Sequence, residues 1–397
     1  MGRVRRVLVV NPGRELGGAE HSLLLLLAAL RRLGVEPTVA LFGDGPFAQA
    51  LAQLAVPTVV LDVPAALRRA SRYTLPTRFA GALRMAAYTG PSVLRLAALA
   101  RRTRADLLHS NGLKAHVLAG LAGRMLRRPV VWHLRDFPPG GLVGRLFRTA
   151  AHRLPALILA NSEAVAAAIR SPANPGPPVI ALRNPVDLDR FRPDLSPNRV
   201  RSELGVSPQV PLVGMIAHLT PWKGHEDFLA IARAVADAVP AARFLVAGGA
   251  IYETEGHTGY AEALPRRAAQ LGLAERVAFL GARDDVPELL AALDVLVHCP
   301  TAPEPFGRVI AEAMAAGRPV VAAASGGVPE IVRDGEDGYL VAPGDIAGFA
   351  AAVVRLLGDG GRRAELGRAG RERAAAWFNP ARHAAAVVDA YRAIGSA

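Results

Sequence analysis

At 397 residues and 51% hydrophobic, the chain is too long for one ordinary core and apolar enough to fill two. Its single cysteine, Cys299, excludes a disulfide framework and fits a reducing compartment. The net charge of +13 comes with only 5% aromatics and no recognition motif, which argues against a nucleic-acid partner.

Met1-Gly2-Arg3-Val4-Arg5-Arg6 leads straight into a strand-length run, Val7 to Val10, and not into the core of a signal peptide. The longest apolar run, Leu23 to Leu30, is about half a membrane span. A cytoplasmic protein is therefore expected. After the first strand, Asn11 to Glu20 form a Gly-rich loop that opens onto an apolar helix, Leu23 to Arg32. The loop lacks the Gly-x-Gly-x-x-Gly order of a dinucleotide site, so NAD is not read here. Gly17 and Gly18 would let backbone approach a ligand at the helix N-terminus, and a plain tight turn explains them equally well.

Val35 to Leu41 and Thr58 to Leu61 read as further strands, and residues 65–104 as mostly helical and Arg-studded. Charge is concentrated in this half. Residues 1–200 hold 28 Lys and Arg against 11 Asp and Glu, a net +17, and the remainder holds 19 against 23, a net −4. Arg68, Arg69, Arg72, Arg78, Arg84, Arg95, Arg101, Arg102 and Arg104 alternate with Leu67, Leu75, Phe79, Leu83, Leu94 and Leu96. Such a surface suits an anionic membrane; an Arg-rich, merely solvated face is the plainer alternative. Two strands follow, ending in polar groups: Asp106 to Gly112, with His109, and Val130 to Asp136, with His133. Ligands of open parallel sheets collect at such ends. Ser162 is placed to cap the next helix, and residues 172–178 form a Pro-rich loop. After the strand Val179 to Leu182, the Pro-rich stretch 193–209 reads as a linker between an N-terminal domain, 1–192, and a second one, 210–376.

The second domain repeats the strand–helix plan. Val210 to Ile216 is a strand, Thr220-Pro221-Trp222-Lys223-Gly224 the loop after it, and Glu226 to Ala238 a helix. Strands at Phe244 to Ala247 and Val277 to Leu280 end in Gly248-Gly249 and Gly281, and residues 250–260 read as a loop. The apolar run Leu293 to His298 then gives way to Glu304-Pro305-Phe306-Gly307-Arg308-Val309-Ile310-Ala311-Glu312. Pro303, Pro305 and Gly307 forbid regular structure, and helical spacing starts near Arg308. One carboxylate thus precedes a helix N-terminus and the other lies inside it, with unpaired N–H groups between them, a seat for phosphate. A sugar nucleotide carries both hydroxyls and phosphates. Val320 to Ala323 ends at Ser325-Gly326-Gly327-Val328-Pro329-Glu330, residues 345–375 are helical, and 377–397 carry a last helix expected to pack back towards the first domain.

In this order, Gly17-Gly18-Ala19-Glu20, Asn184-Pro185-Val186-Asp187 with Phe191, Lys223-Gly224, Glu304-x7-Glu312 and Ser325 to Glu330 resemble family 4 of the retaining glycosyltransferases over almost the whole chain. The resemblance implies an α/β, GT-B fold, two Rossmann-like domains facing a central cleft, and transfer from a nucleoside-diphosphate sugar to a glycan, lipid-linked or small-molecule acceptor. Cell-envelope polysaccharide synthesis is a typical setting. It gives Glu304 the donor sugar's hydroxyls, Glu312 the ribose, and the backbone at Phe306 and Gly307 the sugar and phosphates. Lys223 would meet the diphosphate, Gly18 would close on it, His133 would stand near the reacting centre, and Gly281 to Arg283 would meet the base. The family usually has Arg where this chain has His218, in Ala217-His218-Leu219, so half of an Arg–Lys clamp is weakened. No metal or other cofactor is expected: Asp187-Leu188-Asp189 lies inside the family's Asn-x-Val-Asp segment and is not read as a metal site. A non-catalytic relative and a sugar-nucleotide 2-epimerase stay open as alternatives.

Overall fold

A computed structural model describes residues 4–65, 79–171, 176–249 and 259–395, with the backbone alone over 79–88. Arg68, Arg69, Arg72 and Arg78, with Leu67 and Leu75, lie outside the described residues, as do 172–175 of the Pro-rich loop and 250–258 of the loop expected at 250–260. The chain divides into two units, Met1–Pro185 with Pro380–Ala397, and Val186–Asn379.

In the first unit the β-branched runs form β1 (Arg6–Asn11), β2 (Glu36–Leu41), β3 (Thr58–Val60), β4 (Leu107–Asn111), β5 (Val130–Leu134), β6 (Leu157–Ala160) and β7 (Val179–Ala181). They pair in parallel in the order β3-β2-β1-β4-β5-β6-β7. Strand residues alternate between faces. One face carries Leu8, Val10, Leu108, Val130, Trp132 and Ile158 into a core shared with the helices Phe79–Arg102 and Leu113–Leu126. The other carries Val7, Val9, Leu107, Val131 and Leu159 against the helix Gly18–Arg32 and the last helix, Pro380–Gly395. Along this second face the side chains turn from apolar to polar towards the strand ends, through His109 to Asn11, Asn111 and His133, all buried. The helix Pro380–Gly395 packs on Gly18–Arg32 and buries Ala384, Val387 and Tyr391 in that core.

The second unit holds β8 (Leu212–Ile216), β9 (Arg243–Ala247), β10 (Val277–Phe279), β11 (Val295–His298), β12 (Val320–Ala323) and β13 (Tyr339–Val341). Their order is β10-β9-β8-β11-β12-β13, again parallel. Both sheets therefore reverse direction beside their first strand, between β1 and β4 and between β8 and β11. A crevice for ligands opens at such a switch point, outside the strands' C-terminal ends.

Three boundaries differ from the sequence reading. The units divide at Pro185–Val186 and not within 193–209, because the Pro-rich stretch is packed. Val186, Phe191 and Val200 are buried in the second unit's core, and a helix, Asn198–Glu203, buries Arg201. The Arg201 guanidinium donates to the carbonyls of Ala292, Ser207 and Val210 and pairs with Asp294 at 2.8 Å. The helical stretch 345–375 is two helices, Ile346–Gly358 and Gly360–Trp377, broken where the Asp359 side chain caps the second by accepting from Arg362 N–H at 2.8 Å. Finally, β13 is an edge strand of three residues, too short to leave a periodic signal.

A chain ending before Pro380 loses the side chains that close one face of the first sheet. Limited proteolysis of that truncation is expected to degrade residues 4–185 and spare 186–379; equal resistance of both parts would contradict the packing described.

Candidate active site

At the second unit's switch point the loops that follow β8 and β11 meet. The β8 loop runs through Ala217 and His218 to a single 3-10 turn, Pro221–Lys223, and then to Gly224 at φ 82°. A Cβ on Gly224 would lie 1.8 Å from the Cys299 carbonyl oxygen, so only glycine lets the two loops touch. Thr301 N–H donates to the Trp222 carbonyl at 2.8 Å, and the Cys299 thiol donates to the Gly224 carbonyl at 3.4 Å.

This junction holds Lys223 against Glu304. The ammonium donates to Glu304 Oε2 at 2.6 Å and sits 4.1 Å from the centroid of the Trp222 ring. His298, the last residue of β11, brings Nε2 to 3.3 Å from the same oxygen. Glu304 is only 7% exposed. Burial pushes its carboxyl up, but Lys223 and His298 outweigh burial and hold it down at about 2. The carboxylate is thus ionised and accepts hydrogen bonds without donating any.

Loops on either side fix Glu304. Gly326, at φ 62°, stands where a Cβ would lie 2.1 Å from the Glu304 carbonyl oxygen, and Gly327 N–H donates to that oxygen at 2.8 Å. The Ser325-Gly326-Gly327 motif therefore packs against the Glu304 main chain and fixes it. Phe306 is buried and meets Phe378 edge-on at 5.8 Å. Gly307, at φ 89°, turns the chain into the helix Arg308–Ala315. One turn in, Glu312 is buried and paired with Arg308 at 2.5 Å.

The remaining second-unit candidates lie along the same end of the sheet. His218 is half-buried. Burial and the Lys223 charge lower its pKa, while Glu304 raises it, and the balance is downward, so the ring is neutral near pH 7. Gly248 N–H donates to the Gly281 carbonyl at 2.8 Å, which ties the ends of β9 and β10. Arg283 is held by carboxylates: both oxygens of Asp285 at 2.7 Å, and Glu203 at 2.5 and 3.0 Å. These bonds push its pKa up.

Gly18 and His133 belong to the first unit. Gly18 is exposed and opens the helix Gly18–Arg32, and Glu20 one turn on accepts from Gly17 N–H at 3.2 Å. Burial pushes the Glu20 carboxyl up. At the first unit's switch point the Asn11 and Asn111 side chains meet at 2.7 Å, and Arg135 donates to Asn111 at 2.8 Å and to Asn184. His133 is buried in this polar layer. Burial, then the Arg135 charge, lowers His133 well below the usual histidine range and brings His109 and His383 to about 3.

Sequence reasoning missed His298, Trp222, Arg308, Asn11, Asn111 and Arg135. The signal was present for some: His298 follows an apolar run, as His109 and His133 do, and Arg308 stands four residues before Glu312. Among the described residues, no three His, Cys, Asp or Glu side chains gather to hold a metal ion, and no helix is long and apolar enough to cross a membrane.

Residues 16–190 match the family profile of Glycosyltransferase Family 4, and residues 198–373 that of Glycosyl transferases group 1. The crystal structure of Anabaena Alr3699/HepE in complex with UDP and glucose superposes with a TM-score of 0.82 at 30% identity, over 97% of this chain and 99% of that one. Sucrose-phosphate synthase of Thermosynechococcus elongatus shares the fold, with a TM-score of 0.78 at 22% identity over 99% of each chain. The D-inositol 3-phosphate glycosyltransferase of Mycobacterium marinum is 41% identical over 202 residues, 49% of this chain and 41% of the relative. That of Nocardia farcinica is 35% identical over 211 residues, 52% of this chain and 46% of the relative. The chain thus spans about half the length of the curated relatives it matches.

Removing the cation from the buried pair should cost far more than removing both charges. Lys223→Met is expected to destabilise the second unit by about 3 kcal/mol in denaturant titrations, because the buried carboxylate loses its cation and keeps only His298. Lys223→Met with Glu304→Gln should recover most of the loss. Because the folded carboxyl is held at about 2, below its ordinary 4.5, its contribution to stability is complete above pH 4.5 and fades as pH falls towards 2. The wild type should show this acid loss and the double variant should not.

Proposed function

Since the chain belongs to family 4 of the glycosyltransferases, we propose that it moves a hexose-type residue from a nucleoside-diphosphate sugar to an acceptor hydroxyl, with the anomeric configuration retained. The observation that carries this reading is the buried Lys223–Glu304 pair at the second unit's switch point. Its ionised carboxylate suits the hydroxyls of a sugar. Its ammonium suits a diphosphate, and so do the N–H groups that open the helix Arg308–Ala315.

As the bond between the anomeric carbon and the phosphate oxygen breaks, negative charge grows on the leaving diphosphate. Lys223 is aimed at that charge by Trp222 and Glu304, and positioning it beforehand lowers the barrier without a covalent nucleophile. This reading gives the task of charge neutralisation to Lys223 and the helix N-terminus, with no metal ion, so turnover should persist in chelator. Glu312, held by Arg308, takes the ribose, and the backbone at Gly281 to Arg283 takes the base. Gly18 and His133 serve the same reaction from the first unit.

UDP-glucose is the first donor to test, because UDP-glucose is what a full-length relative at 29% identity holds in its crystal structure. A phosphorylated polyol is a fitting first acceptor, given the half-length match to D-inositol 3-phosphate glycosyltransferases. A lipid-linked acceptor on an anionic membrane is a second reading. It is favoured by the net +17 of residues 1–200 and by Leu142 and Leu146, 63% and 64% exposed on either side of the exposed Arg145. Flotation with anionic but not neutral vesicles, weakened by salt and by Arg145→Glu with Leu146→Ser, supports that reading, and indifference to lipid charge removes it.

The main test uses purified protein with UDP-, GDP- and ADP-glucose, following nucleotide release and the fate of the sugar. Transfer or slow hydrolysis abolished by Glu304→Ala is expected. An altered free nucleotide sugar would mean an epimerase, and tight binding without turnover a regulatory subunit. Because His218 is neutral in the free protein, an arriving diphosphate should draw a proton onto it. Donor affinity is expected to strengthen from about pH 8 to about pH 6, and His218→Arg should raise affinity and flatten that dependence.

A further inference from the structure

The last helix of the first unit reaches His133 through a chain of hydrogen bonds. The Tyr391 hydroxyl lies 2.6 Å from His109 Nδ1, and His109 Nε2 lies 3.2 Å from His133 Nδ1. All three side chains are fully buried. His383, also on the last helix, stacks its ring on that of His133 at 6.0 Å with planes 19° apart. Its Nδ1–H donates to the Arg183 carbonyl at 2.8 Å, which separates it from the chain. Burial and the Arg135 charge keep His109 and His133 neutral, and burial keeps the Tyr391 proton in place.

Each neutral member brings one proton, and two hydrogen bonds must be made, so the direction of the chain follows from counting. If Tyr391 donates to His109 Nδ1, the His109 proton is on Nε2 and is donated to His133 Nδ1. The His133 proton is then on Nε2, the one polar group of these three side chains left without a partner among the described residues. In the opposite direction His133 Nδ1–H donates to His109, and His109 Nδ1–H donates to the tyrosine oxygen. The tyrosine proton then has no acceptor among the described residues, and His133 Nε2 is bare as well. One buried unpaired group is better than two.

We infer that Tyr391, acting through His109, fixes His133 as its Nε2–H tautomer and so makes it a hydrogen-bond donor to an oxygen of the bound sugar substrate. The inference rests on the reading that His133 meets substrate. It gives His133 a definite role, since a ring with its proton on Nε2 offers no lone pair there and cannot take a proton from the acceptor hydroxyl. Tyr391 and His109 are positioning residues, and the last helix thereby contributes to the site without touching the ligand.

The test uses the full chain labelled with 15N-histidine, in which long-range proton–nitrogen spectra near neutral pH report which ring nitrogen carries the proton. His109→Gln and His133→Gln assign the signals. Both histidines are expected to show a protonated Nε2 and a bare Nδ1 in the wild type. Tyr391→Phe keeps the ring that fills the core and removes only the donor. It should turn both signals into tautomer mixtures and lower kcat for UDP release from UDP-glucose about tenfold, with KM within about twofold. A wild-type His133 protonated on Nδ1 overturns the inference, as does a Tyr391→Phe variant with unchanged spectra. A tautomer shift without loss of kcat overturns the donor role. The wild-type spectrum does not depend on any variant folding. If His133→Gln left kcat intact, the substrate-contact reading would fall while the tautomer assignment stood.

Discussion

A carboxylate and an ammonium buried side by side are tolerable only when each satisfies the other, and that constraint organises the second unit. Lys223 and Glu304 lie on loops from different strands, and those loops come together only because β11 returns beside β8. Around the pair the chain spends glycines where a side chain would force the loops apart: Gly224 against the Cys299 carbonyl and Gly326 against the Glu304 carbonyl. The result is a charged centre rigid before any ligand arrives. Free solvent could not hold an ammonium in one place, and an exposed carboxylate would be screened by water. Burial supplies the penalty, the partner offsets it, and the net product is orientation.

The first unit answers the same topology with different chemistry. Its switch point is lined by asparagines and neutral histidines around one guanidinium, Arg135. A cation at the centre of such a layer has two effects. It draws the amide oxygens of Asn111 and Asn184 towards it, and it makes a second positive charge on any nearby histidine costly. Its histidines are therefore held neutral near pH 7, and the hydrogen-bond directions among them are set by proton counting and not by ion pairing.

Much of the architecture was legible in the sequence because parallel strands buried on both faces leave near-continuous apolar runs. Val7 to Val10, Val130 to Leu134 and Val320 to Ala323 are such runs, and each is a strand. The loop bearing Glu304 was legible through Pro303, Pro305 and Gly307, and its glycine does take a positive φ. The packed stretch after Pro185 was not, since proline-rich composition describes a chain without regular structure equally well whether it is solvated or pinned. What pins it is Arg201, which reaches the nearby Ser207 and Val210 carbonyls and, some ninety residues on, the Ala292 carbonyl and the Asp294 carboxylate, and no local pattern announces the distant pair. The partners of Lys223 and His133 were hidden for the same reason. Trp222 is adjacent in sequence, but His298 and Tyr391 come near only through the sheet order and the return of the last helix. A single sequence shows which residues end strands; it does not show which ends become neighbours.

That returning helix has a consequence for how the molecule is made. A ribosome releases residues 4–185 long before 380–395, with the whole of the second unit emerging in between. During that interval Leu23, Leu26, Val131 and Leu159 have an uncovered side, because the helix that seals their face has not yet been synthesised. The second unit, continuous in sequence, has no such wait. Folding in the cell is then out of register with translation: the segment made first is completed last, by a closure spanning nearly the full chain, and the entropy of that closure grows only slowly with the length of the intervening loop. An already folded insert shortens the effective loop further, so the second unit acts as a spacer that brings the closing helix home.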